Sequence, residues 1–301
     1  MSTFFGTPVG NNLQGCLLND KEGEELIPVF RYENQLYRNY FLWFLKHTDQ
    51  KERIWDWFSR ELLPQLKTRD VLIDAGSGNG ELMSHFLSTF HRCIAIEPNP
   101  AFKSELLRLI PRENLYQTTI LGAPPSLPKA NLVIESHVKY HIPTEEWFLN
   151  TDRLLSWLAP GGCLVEVFES EHSDFQRMRA EFLGREYVRE LQHFAWQYSR
   201  QNNISVEVDT RQAWVNCTSL EMMLGIAIFM MNDVPSDALE RHPNRPTRQQ
   251  LARWIHQNYY SGGVYRMSCV QDFVKYGNSN LISDTVGEFI PMVVFDHIDE
   301  E

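Results

Sequence analysis

The stretch Val71-Leu72-Ile73-Asp74-Ala75-Gly76-Ser77-Gly78-Asn79-Gly80 decides how this chain is read. A continuous apolar run enters a turn with glycine at every second position, and residues 81–90 beyond it carry helical spacing. Glycine lets backbone approach a ligand without a Cβ in the way, and the first turn of a helix offers unpaired N–H groups. A turn built to hold a dinucleotide pyrophosphate carries a third glycine or alanine where this chain has Glu81. Asp74, two residues before the first glycine, would repel a pyrophosphate and suits the ammonium of an amino-acid moiety.

Working outward, 93–96 is a second apolar run ending at Glu97, an acid placed to accept both hydroxyls of a ribose. Helix 100–110, a strand near 115–120, strand 132–134, helix 144–158 and strand 163–168 follow. Continuous apolar strands alternating with helices predict a parallel sheet covered on both faces. Before the first strand, 34–66 has helical periodicity, with Tyr37, Phe41, Phe44 and Leu45 on one stripe and Ile54, Trp57, Phe58 and Leu62 on another, up to Pro64. After Glu169 come helices around 171–199, an alternating strand at Ile204-Val206-Val208, helices near 218–231 and 247–259, and a strand candidate at 289–295 that Pro291 would confine to an edge or bulge. The expected architecture is α/β: a Rossmann-like, mostly parallel, seven-stranded sheet with helices on both faces. It divides into an N-terminal helical lid (1–66), a ligand-binding core (67–170), and a helical insertion with closing antiparallel strands (171–301).

Lys plus Arg number 28 against 39 Asp plus Glu, a net charge of −11, so no broad cationic surface meets a nucleic acid or an anionic membrane. The five cysteines are scattered without close pairs, which fits a reducing, cytoplasmic setting. Residues 1–15 read as no export signal, and the run 220–231 is too short to span a bilayer and reads as a buried helix.

Four ordered landmarks together resemble the class I methyltransferases: Asp74–Gly80, Ile96-Glu97-Pro98, Asn131-Leu132-Val133-Ile134-Glu135-Ser136 and Leu158-Ala159-Pro160-Gly161-Gly162. The resemblance covers about 70–168. It implies S-adenosylmethionine as cofactor, held through Asp74, Gly76, Ser77, Gly78, Glu97, Pro98 and Ser136, with Ser136 and His137 facing the transferable methyl. A longer resemblance, to histamine N-methyltransferase and its relatives, rests on the aromatic prelude 37–47, on Gly80-Glu81-Leu82 and on Glu97-Pro98. It implies an acceptor pocket lined by Tyr37 and Phe41. This chain departs from that group where the acid falls on Gln50, the glutamine on His137, and the second of two tyrosines on His141, which points away from histamine itself.

Methyl transfer from a sulfonium is an in-line displacement that needs chiefly alignment; an amine acceptor needs no base, while a hydroxyl usually does. The segment 135–141 places His137 and His141 beside the methyl, as bases or as pocket residues, with Tyr140 and, further on, Phe175 as further acceptor contacts. Each histidine, and the aromatic stripe, is open to a plain packing role. No metal is expected, since no tight carboxylate cluster accompanies Glu135. A nicotinamide-dependent oxidoreductase and a catalytically silent adenosylmethionine-binding module remain as other readings. The expected acceptor is a small molecule.

Overall fold

The computed structural model describes residues 24–31, 35–188 and 191–277. Helices α1 (Gln35–Leu45) and α2 (Gln50–Trp57) lead into β1 (Val71–Ala75), α3 (Glu81–Ser84), β2 (Arg92–Ile96), α4 (Lys103–Leu109) and β3 (Leu115–Tyr116). There follow β4 (Ala130–Ser136), α5 (Trp147–Ser156), β5 (Leu158–Glu169), α6 (Asp174–Leu183), α7 (Leu191–Asn202) and β6 (Ser205–Arg211). The remainder is β7 (Trp214–Cys217), α8 (Leu220–Met231), α9 (Ser236–Arg241), α10 (Arg248–Tyr259), β8 (Tyr260–Ser261), β9 (Val264–Ser268) and β10 (Gln271–Gly277).

One seven-stranded sheet has the order β3-β2-β1-β4-β5-β10-β6, and a small sheet runs β7-β9-β8. Strands β1 to β5 pair in parallel, whereas β10 is antiparallel to both β5 and β6. Alternation along each strand serves two cores. Ile73, Val133 and Leu164 share one face with residues of α5 and α7, and Leu72, Leu132 and Val165 share the other with residues of α2, α3 and α4. A third core, built on α1, α6, α8, α10 and the small sheet, forms a cap. The run 220–231 is indeed a buried helix: α8 is apolar all round, with Phe229, Met230 and Met231 among its buried residues, and Ser219 caps its start by accepting from Met222 N–H at 3.2 Å.

Several expected boundaries shift. The strand expected over 115–120 is paired only at Leu115–Tyr116, and the helix expected over 81–90 is regular only to Ser84. The closing strand is 271–277; the candidate at 289–295 lies outside the described residues. The prelude is also not one lid. Helix α2, continuing as a π-helical turn at Phe58–Leu62, sets Ile54, Trp57 and Phe58 onto the sheet face, with the Trp57 ring 4.5 Å from that of Phe273 on β10. Helix α1, whose Phe44 packs into the cap, roofs the crevice described below, and the start of α2 adds Gln50 and Lys51 to its lining.

A fully buried charge cluster ties the end of β4 to β5. Lys139 Nζ donates to Glu135 Oε2 at 2.8 Å, to Thr151 Oγ1 at 3.1 Å and to Glu166, while Tyr276 O–H donates to Glu166 Oε2 at 2.7 Å. Burial pushes Glu135 up to about 7 despite the ammonium beside it. Replacing one member strands its partners in a dry interior. Lys139→Met is therefore expected to lower the unfolding free energy by about 3–5 kcal/mol in urea denaturation, with Glu135→Gln recovering part of it; a loss under about 1 kcal/mol would show that the cluster is solvated.

Candidate active site

The strand order reverses between β1 and β4, and the two loops leaving their carboxyl ends part to open a crevice. A cavity of about 300 Å³ fills it. Its floor is the glycine loop: Gly76, Gly78 and Gly80 have φ of +84°, +54° and +77°, and Gly76 N–H is held on Ile96 C=O at 2.7 Å. A Cβ at Gly76 would lie 2.1 Å from Cγ2 of Val138, so the loop after β4 closes directly on the loop after β1. A Cβ at Gly78 would meet only the ring of Phe41, from α1, at 3.7 Å.

Glu97 ends β2 and forms the next wall. Its Oε2 accepts from Gly78 N–H and its Oε1 from Asn99 N–H, each at 2.7 Å, which fixes the carboxylate and leaves further acceptor capacity on both oxygens. Burial nonetheless raises it to about 7. Asp74 is buried beneath the loop with Oδ2 unpartnered, and burial lifts it to about 6, moderated by the nearby charge of Lys51. Ser136 Oγ, at the end of β4, is also buried without a partner. A glycine cradle, a fixed carboxylate and two unsatisfied polar atoms fit an aminoacyl nucleoside such as adenosylmethionine.

The opposite wall comes from the cap and from the loop after β4. Tyr37, Phe41 and Phe44 of α1 meet Phe229 of α8, with ring centroids 5.3, 6.3 and 5.7 Å apart. His137 takes the left-handed conformation at φ +59° and extends the ladder by donating N–H to Val167 C=O at 2.8 Å. Tyr140 O–H accepts from Glu169 N–H and lies 3.4 Å from His137 Nδ1, so its own proton is free for that nitrogen. The neutral ring then carries its hydrogen on Nε2, which is buried with the Gln271 side chain bearing on the ring. His141 Nε2 pairs with Tyr37 O–H at 3.1 Å. Burial drives His137 down to about 3 and His141 to about 4, so both are neutral near pH 7, and the sequence-based ground for a histidine base near 6.5 falls away.

Of the residues singled out from sequence, Gly76, Ser77, Gly78, Glu97, Pro98, Ser136, Tyr37, Phe41, Gln50, His137, Tyr140 and His141 all line this cavity. Asp74 stands one layer behind it. Phe175 does not reach it: strand β5 ends before the crevice turns towards α6, and the ring is wholly buried in the cap core. Lys51, Phe229 and Asp233 line the cavity without having been expected. Lys51 follows Gln50 on α2. Asp233 trails the twelve-residue, mostly apolar helix α8, a place where an acid reads as a solvated helix end.

A family model described as a methyltransferase domain matches residues 46–259. That match decides for methyl transfer over the nicotinamide reading. No curated protein matches the chain. Among solved structures, a putative methyltransferase from Bacillus halodurans C-125 aligns with a TM-score of 0.49 and 15% identity over 71% of this chain and 96% of that one. The N-methyltransferase NodS from Bradyrhizobium japonicum WM9 aligns with a TM-score of 0.44 and 12% identity over 76% and 96%.

The contact between the two loops can be tested without any ligand. Gly76→Ala is expected to cost about 2–4 kcal/mol in denaturant unfolding, from positive φ and the overlap with Val138 together. Val138→Ala in the same chain should return the overlap component, and a Gly76→Ala protein as stable as its parent would contradict the packing described.

Proposed function

The chain belongs to the methyltransferase-domain family, and on that premise we propose that it holds S-adenosylmethionine on its glycine loop and Glu97 and methylates a nitrogen or oxygen of a small molecule seated beneath α1. The observation that carries this reading is one continuous cavity. The ligand cradle of β1 and β2 and the aromatic wall of α1 and α8 open into each other across Ser136 and His137.

When bound, the sulfonium supplies an electrophilic methyl. The chain's own part is alignment and exclusion of water. Glu97 accepts the two ribose hydroxyls, Gly76 and Gly78 allow close backbone approach, and Asp74, with Ser136, sets the polarity at the amino-acid end. His137 Nε2–H and the Tyr37–His141 pair are hydrogen-bonding groups for the acceptor. Gln50, buried with its Nε2 on Cys269 Sγ at 3.4 Å, gives the acceptor side an uncharged wall. The narrower likeness to histamine N-methyltransferase is not supported by the comparisons, which reach only the methyltransferase domain. Among the described residues no helix is long and apolar enough to cross a membrane.

Calorimetry with adenosylmethionine tests the reading. Glu97→Ala removes charge-assisted hydrogen bonds of ~1.5–3 kcal/mol each, so affinity should fall at least about tenfold; unchanged affinity overturns the assignment. Because the carboxylate must be ionised to accept both hydroxyls and burial raises it to about 7, affinity should be full near pH 8 and decline as pH falls through 7. With an acceptor in hand, kcat should show no inflection belonging to a histidine between pH 5.5 and 8, since the two rings are already neutral there. An inflection near 6.5 that disappears in His141→Phe would restore the histidine as base.

A further inference from the structure

Arg179, on α6, is buried completely. It donates to Glu169 through Nη2, to the C=O of Met230 through Nη1 and to Gln176 Oε1 at 3.3 Å, and Nη1 stands 3.7 Å from Asp233 Oδ2. One guanidinium therefore faces two carboxylates, and Glu169 has the close contact, its other oxygen taking the Ser173 hydroxyl at 2.7 Å. Among the described residues Asp233 accepts no hydrogen bond from a side chain, and its ion pair is long. The cluster carries a surplus negative charge in a dry place, and the carboxylate that bears it lines the cavity.

Among the described residues, no further cation on the cavity walls faces that charge besides Arg179. His137 and His141 are held neutral by burial, and Lys51 bears on Asp74 and Glu81. The position is also fixed. Asn232, the neighbouring residue, accepts from Phe30 N–H at 2.7 Å and donates to Ile228 C=O at 2.8 Å and Pro28 C=O at 3.1 Å, clasping the end of α8 to the segment before α1. Beside it are aromatic faces: Phe229 is one helical turn back, in contact with Tyr37, whose hydroxyl is shifted upward by burial and then by the charge of Asp233.

We propose that Asp233 recognises a positively charged nitrogen of the methyl acceptor, so that the substrates are organic cations held by one carboxylate and the rings of Tyr37 and Phe229. This deepens the function proposed above and rests on it. A desolvated carboxylate with a distant counter-ion gains from an ammonium what the protein itself withholds, and a π face adds to the attraction. A nitrogen held as its ammonium has no lone pair, so the acceptor carries a second nucleophilic atom that receives the methyl. The cation is recognised from just beyond the end of α8, which frees Gln50, on α2, from needing a charge.

The test uses the full chain saturated with S-adenosylhomocysteine and three matched pairs of probes: tyramine with tyrosol, tryptamine with tryptophol, and 1,4-diaminobutane with 1,4-butanediol. In calorimetric titrations at pH 8, at least one amine should bind at least tenfold more tightly than its alcohol. In Asp233→Asn that preference should shrink to within twofold, with affinity for the alcohol and for S-adenosylhomocysteine unchanged. Should the variant fail to fold, the native chain gives a second measurement. Burial raises Asp233 to about 7, and Arg179, Glu169, Tyr37, Tyr140 and Cys269 are the ionisable groups around it. The carboxylate takes up a proton as pH falls from 8 to 6 while the amines, with pKa values near 10, stay charged, so amine affinity should fall and alcohol affinity should not. No amine preference in the native chain, or a preference that survives Asp233→Asn or is flat from pH 8 to 6, overturns the proposal. Failure of S-adenosylhomocysteine to bind the native chain is a different result and overturns the cofactor assignment instead.

Discussion

At the carboxyl edge of the sheet, the loop after β1 and the loop after β4 touch with no room for a single methyl group between Gly76 and Val138. The constraint is steric, and much else follows from it. It obliges the chain to use glycine at 76 in a left-handed conformation, with Gly76 N–H held on Ile96 C=O and Gly78 N–H on Glu97. It sets the start of the 137–141 turn, and with it the side chains of His137, Tyr140 and His141. The buried Lys139 cluster then anchors that turn from below to β5 and β10. Cradle and acceptor wall are thus two sides of one contact, and neither can shift alone.

The electrostatics of the cavity run against the usual order of side-chain acidities. Three buried carboxylates, Asp74, Glu97 and Asp233, are raised to between about 6 and 7, while the two histidines are lowered to between about 3 and 4. Desolvation is the largest cause in every case. A site built in this way has little use for a histidine as proton acceptor and holds its negative charge only weakly.

Much of this was legible in the sequence because the signals were local. The glycine loop, the acid closing β2 and the alternation of apolar runs with helices each depend on a few neighbouring residues, and they gave the parallel strands, their faces and the glycine-loop side of the cavity. The losses were of another kind. Strand β10, Gln271-Asp272-Phe273-Val274-Lys275-Tyr276-Gly277, is buried on both faces yet carries Asp272 and Lys275, and Asp272 is tolerated because Thr210 Oγ1 donates to it at 2.7 Å across the β6 pairing. No pattern along the chain announces that partner. Phe175 was misplaced because an aromatic just beyond β5 can face the crevice or the cap with equal ease, and the cap's packing decided. Asp233 and Lys51 escaped notice because the charge of each is enclosed only by elements distant in sequence.

The strand order also has a consequence for how the chain is made. Among the described strands, β5 finds its second neighbour in β10, and β6 reaches the sheet by pairing with β10, although β6 is synthesised some sixty residues earlier. As the polypeptide leaves the ribosome, the growing sheet presents β5 as an open edge, and the apolar helix α8 emerges into water before the wall that shelters it is complete. Completion waits for residue 277. A nascent chain stalled short of that point carries an unpaired strand edge and an apolar helix without its full wall together.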